Sequence, residues 1–72
     1  MKTWTYEEIT AETEKAIIQS MSDAKKHAAD IDRRMNHEYM AMGAFHLWDR
    51  LTMGWRPDPS DEKRLKALAD LD

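Results

Sequence analysis

The stretch "HEYMAMGAFHLWDRL", residues 37–51, gathers most of the side chains that could do chemistry: His37, Glu38, Met40, Met42, His46 and Asp49. Histidines and carboxylates at short helical spacing hold zinc or iron, and methionines beside a histidine suit soft copper. None of these patterns closes here. The zinc-protease pattern H-E-x-x-H would need a second histidine where Ala41 stands. The E-x-x-H pattern of di-iron bundles fails too, because Thr10, Ala11, Lys15, Ile17 and Ala41 stand three residues after Glu7, Glu8, Glu12, Glu14 and Glu38, and Leu65 after Glu62. His37 and His46 lie about 180° apart on a helix, and Met40 and Met42 about 200° apart. His46 and Asp49 could act jointly, but two ligands make a weak site. The sequence therefore predicts no metal and no cofactor.

Covalent and acid–base catalysis lack their parts as well. The chain has no cysteine, and Ser20, Ser22 and Ser60 lie outside any G-x-S-x-G elbow. No glycine-rich phosphate loop is present. A chain of 72 residues has little room for an ordinary substrate pocket, so the expectation is a protein that is not an enzyme.

Length and charge restrict the remaining classes. A chain this short buries only about 60% of its unfolded surface, and such domains usually need a disulfide, a metal or a partner copy. The net charge of -3 is uneven: residues 1–20 and 57–72 each carry -2, and residues 21–56 carry +1. No segment has the cationic surplus that nucleic-acid binding demands. No signal-like apolar region opens the chain, and no run approaches the roughly 20 apolar residues of a membrane span. Together with the lack of cysteine, this predicts a soluble, cytoplasmic protein.

The elements that must position these residues are helices. Both prolines and Gly54 fall between residues 54 and 59, leaving Gly43 as the one breaker before them. Thr5 and Glu8 form a T-x-x-E capping box, with Trp4 and Ile9 placed as a hydrophobic staple. Ile17, Met21, Ala24, Ala28, Ile31 and Met35 follow at steps of four and three, a seam of about two and a half heptads. Asn36 suits a left-handed C-cap and is the favoured break, with Ser22 and Asp30 as earlier alternatives. The second helix runs to Met53, where Gly54 and Pro57 stop it, and Trp55 is expected to fold back on the core. Asp58 caps a third helix with Pro59 at its first position and Leu65, Leu68 and Leu71 on its apolar side. The prediction is an all-α, three-helix domain spanning 1–72, with helices at about 5–35, 37–53 and 58–71, associating as a helical-bundle dimer.

Two features point to association. A first helix of about 45 Å would overhang a second of about 26 Å. The second helix is also apolar around much of its circumference, which requires cover from more than one direction. Phe45, Leu47, Trp48, Leu51 and Trp55 are assigned to core or self-association. Tyr39, Met42, His46, Asp49 and Arg50 stand nearer the polar edge and are assigned to a protein partner. Glu7, Glu8, Glu12 and Glu14 form a candidate acidic face, able to mimic phosphates if the partner is a nucleic-acid-binding protein. The leading expectation is a small acidic interaction module that blocks or adapts a protein, by analogy with phage-encoded inhibitors of host machinery. The alternatives are a DNA-binding regulator using Lys15, Lys25, Lys26, Arg33 and Arg34, and a structural subunit of a larger assembly.

Overall fold

A computed structural model describes residues 3–55 and 58–71. Helix α1 spans Tyr6–Lys26, α2 spans Ile31–Thr52, a 3₁₀ turn covers Met53–Trp55, and α3 spans Pro59–Leu68. Helices α1 and α2 form an antiparallel hairpin, and α3 returns against one flank of it. Arg56 and Pro57 lie outside the described residues, so the proposed stop at Pro57 does too.

Each helix starts where its capping chemistry dictates. Thr5 Oγ1 accepts from the Glu8 amide at 3.1 Å, and Glu8 Oε1 accepts from the Thr5 amide at 3.4 Å, completing the capping box. Asp58 Oδ1 accepts from the Ser60 amide at 2.8 Å, with Pro59 at the start of α3. Helix α3 ends at Leu68, not at residue 71, in a Schellman turn. Leu71 N–H donates to the Lys66 carbonyl at 2.9 Å and Asp70 N–H to the Ala67 carbonyl at 3.1 Å, with Asp70 left-handed at φ 59°.

The break between the first two helices is not at Asn36. It falls at residues 27–30, where His27 ends α1 and Asp30 caps α2 by accepting from the Arg33 amide at 3.2 Å. An N-cap aspartate satisfies an orphan amide and outcompetes a weak C-cap asparagine six residues later. Asn36 is ordinary exposed helix. Gly54 likewise acts without a left-handed turn, inside the 3₁₀ segment.

This shift rearranges the heptad seam. Ile17 and Ala24 are buried and Met21 is half-buried, but Ala28, Ile31 and Met35 are exposed. The seam ends where α1 ends. It also removes the predicted length mismatch, because helices of 21 and 22 residues are each about 32 Å long.

The core joins all three helices: Ile17 from α1, Ala41, Phe45 and Trp48 from α2, Leu65 from α3, and Ala69 just beyond. Trp48 is the largest of its fully buried side chains, and its indole N–H donates to Thr10 Oγ1 at 2.9 Å. That bond satisfies a polar group that burial would otherwise penalise by a few kcal/mol. Thr52 does the same locally by donating its hydroxyl to the Trp48 carbonyl at 2.7 Å.

Candidate protein-interaction surface

Helix α2 turns Ala41, Phe45, Trp48 and Thr52 inward, and leaves two apolar strips outside. The first holds Met40, Leu47 and Leu51 on the flank opposite α3, with Ala44 half-buried among them. The second holds Ile31, Met35 and Tyr39, all exposed, and continues through half-buried Met42 to exposed His46 on the side away from α1.

The residues assigned to self-association or core therefore divide. Phe45 and Trp48 are buried, their rings 5.9 Å apart. Leu47 and Leu51 are exposed, so their assignment to the core is corrected. Helix α3 settled on the other flank, and nothing in the described chain covers them. Trp55 folds back only partly. It is 48% exposed and sets its edge against Tyr6, with ring centroids 6.5 Å apart.

The five partner candidates share the outer side of α2. Tyr39, His46 and Arg50 are exposed, and Met42 and Asp49 are half-buried. His46 lies edge-on to Phe45 at 5.6 Å, so its ring is braced by the core. At the start of the strip, Asp32, Arg33, Met35, Asn36 and Tyr39 line an open hollow of about 460 Å³.

The four glutamates do not share one face. Glu8 is spent on the helix cap, and Glu12 pairs with Lys15 at 3.4 Å. Glu14 lies on the opposite side and pairs with Arg64 of α3 at 3.1 Å. Glu7 and Glu14 border a hollow beside α3 with Tyr6 and Asp61. Helical spacing explains the split, since residues 7 and 14 lie on nearly one line and 8 and 12 on another.

The cations named for DNA binding gather around the α1–α2 turn, apart from Lys15. Most are matched: Lys26 lies 4.0 Å from Asp23, Arg33 lies 3.5 Å from Asp30, and Arg34 lies 3.7 Å from Glu38. Asp30 pairs with Arg33 and not with Arg34, because its carboxylate is held at the α2 cap.

Two features escaped the sequence reading. Tyr6 clasps α1 to the start of α3: its hydroxyl donates to Asp61 Oδ2 at 2.9 Å and accepts from the Asp58 amide at 3.0 Å. Burial pushes its phenol pKa above 10.0, helped by the Asp61 carboxylate and opposed by the bond from Asp58. The bonds from the Ser60 amide and hydroxyl hold the Asp58 carboxyl below its usual 3.8. The second feature is a stack of His27 on His37, centroids 5.5 Å apart and planes 11° apart, with His37 Nδ1 buried and without a partner. A break at Asn36 would have kept these histidines apart, so no spacing signal could reveal them. Among the described residues, no three histidines or carboxylates come together as a metal site.

No helix among the described residues is long and apolar enough to cross a membrane. No family model, curated protein or solved structure matches the chain.

Proposed function

We propose that the protein is a small acidic helical interaction module that binds a protein partner and blocks or adapts it. The observation that carries this reading is the strip of exposed Ile31, Met35 and Tyr39 and half-buried Met42 along α2, bordered by His46, Asp49 and Arg50. Its spacing of four, four and three residues is that of an apolar helix face that lies in a partner's groove. Tyrosine supplies a large contact at low entropic cost, and methionine adapts to irregular surfaces. An inhibitor of host machinery, of the phage-encoded kind, is the specific form this reading takes. The blocking element is then the α2 strip, because the glutamates are divided between two sides of α1. Self-association belongs to the same reading, since the flank carrying Met40, Leu47 and Leu51 also lacks cover. Direct DNA binding is disfavoured by the carboxylates matched to Lys26, Arg33 and Arg34.

The test places a photo-crosslinking residue at Tyr39, or at Lys63 on α3, in the native host. One discrete protein adduct from Tyr39, absent from Lys63 and lost on adding Met35→Asp, is the expected result. Adducts equal at both positions, or none at Tyr39, would refute the proposed surface. Binding to duplex DNA at low salt, weakening steeply as salt rises, would replace it with the DNA-regulator reading.

A further inference from the structure

The hairpin flank opposite α3 is built from two unequal rows. Helix α2 contributes Met40, Ala44, Leu47 and Leu51, of which the three large ones are exposed. Helix α1 contributes Ile9, Thr13, Ala16 and Ser20, mostly small and lower-lying: Ala16 is exposed, Ile9 and Thr13 are half-buried and Ser20 is buried. Trp48 bonds to Thr10 and His37 stacks on His27, which fixes the register of the two helices. Ser20, Ala16, Thr13 and Ile9 therefore stand opposite Met40, Ala44, Leu47 and Leu51 in turn. Leu51, Ile9 and Thr13, joined by Trp4 and Glu12, line one open hollow of about 330 Å³. The flank is thus a ridge of large side chains beside a shallower row of small ones.

The geometry points to a second copy of this chain as the occupant, docked about a two-fold axis parallel to the helices. That axis lays α2 of each copy antiparallel on α1 of the other and keeps every level matched. Met40 then meets the partner's level of Ser20, and Leu47 that of Thr13, so ridge enters groove on both sides at once. The other two-fold arrangement sets α2 on α2, with large side chains against large and small against small, and leaves the groove empty.

Charge at the rim favours the same arrangement. Glu12 lies at the outer edge of α1, where its bond to Lys15 is exposed. Arg50 lies at the outer edge of α2, near the same end of the hairpin, and makes no ion pair among the described residues. Laying α2 on α1 brings each Arg50 beside the Glu12 of the other copy. Two helices about 32 Å long present on the order of 600 Å² per copy, so the pair would bury about 1,200 Å². That is the lower edge of a specific interface and fits a reversible dimer.

This inference rests on the self-association in the proposed function and shares only Arg50, at its rim, with the border of the Tyr39 strip. Sedimentation equilibrium of the full chain reads association, and charge exchange reads the arrangement. The wild type is expected to dimerise, and Leu47→Asp to raise the dissociation constant at least 100-fold with unchanged helical circular dichroism. Glu12→Arg and Arg50→Glu are each expected to weaken the dimer about 3- to 10-fold, and their equimolar mixture to recover most of the affinity as a heterodimer. A wild-type monomer at millimolar concentration overturns self-association as a whole. A dimer indifferent to Leu47→Asp, or one that the mixture fails to restore, overturns this arrangement alone. Tyr39→Ala, on the other surface, is expected to leave the dimer unchanged.

Discussion

The two flanks of the α1–α2 hairpin are made from similar materials and meet different fates. One flank receives α3, which buries Leu65 and Ala69 on Ile17 and Phe45 and ties itself down through Glu14–Arg64 and Tyr6–Asp61. The other presents Met40, Leu47 and Leu51 to solvent. The difference is connection. The chain leaves α2 through a 3₁₀ turn, the Tyr6 hydroxyl catches the Asp58 amide, and α3 is thereby aimed at one side only. Among the described residues, no further helix covers the other side.

The sharpest way to break this comparison is the same truncation on either flank. Leu65 is 0% exposed and Leu47 is 59% exposed. Leu65→Ala should cost about 2–5 kcal/mol, the range for truncating a buried leucine, and would consume much of the stability of so small a domain. Leu47→Ala should change the stability of the monomer by less than about 0.5 kcal/mol. Urea unfolding, at a protein concentration where the wild type is monomeric, measures both. Equal losses would mean that the open flank is covered within one chain.

Tyr6 offers a smaller lever on the covered flank. Tyr6→Phe keeps the ring contacts with Trp48 and Trp55 but removes the bonds to Asp61 and Asp58. The expected loss is about 1–2 kcal/mol, since both bonds lie in partly solvated positions. Its pH dependence gives a second reading. The folded phenol has a raised pKa, so the neutral clasp contributes fully below pH 10.0 and is lost as pH rises through the folded value. The stability difference between wild type and Tyr6→Phe should therefore shrink above pH 10. Asp58 works with the opposite sign. Its folded pKa is depressed, so its cap contributes above 3.8 and fades as pH falls through the folded value. A difference that stays constant through the alkaline titration would show that folding does not raise the Tyr6 pKa, and a difference of zero at neutral pH would show that its hydroxyl adds nothing.

What was legible in the sequence follows the range of the interactions. The capping box at Thr5 and the Asp58–Pro59 start are encoded within four residues and were readable. The turn at 27–30 was readable only as an alternative, because Asp30 competed with Asn36 and a continuous heptad pattern ran across both. The pattern was misleading for a physical reason: Ile31 and Met35 continue the period but belong to the outer strip of the next helix. Burial of Phe45 and Trp48 against exposure of Leu47 and Leu51 depends on which flank α3 takes. That choice is set by a contact 52 residues long, Tyr6 with Asp58, which no local pattern carries. The candidate site was legible in part, since Tyr39, His46 and Arg50 do share the exposed outer side of α2, but its apolar strip through Ile31 and Met35 was hidden in the false seam.

The finest adjustment of the comparison lies at the end of α3. Asp70 holds a left-handed conformation at φ 59°, which costs a residue with a Cβ on the order of 1 kcal/mol. It also sets a negative charge at the negative end of the α3 dipole. The turn persists because Leu71 donates to Lys66 and packs against the core. Asp70→Gly should relieve both penalties and stabilise the fold by about 0.5–1 kcal/mol, after the entropy that glycine adds to the unfolded chain. Asp70→Asn removes the charge but keeps the backbone cost largely in place, so it should give the smaller part of the gain. Because α3 touches only the covered flank, both substitutions should raise Tm without altering dimer affinity. A shift in the dimer constant on either substitution would mean that α3 also reaches the open flank, and the two sides of the hairpin would no longer be separate.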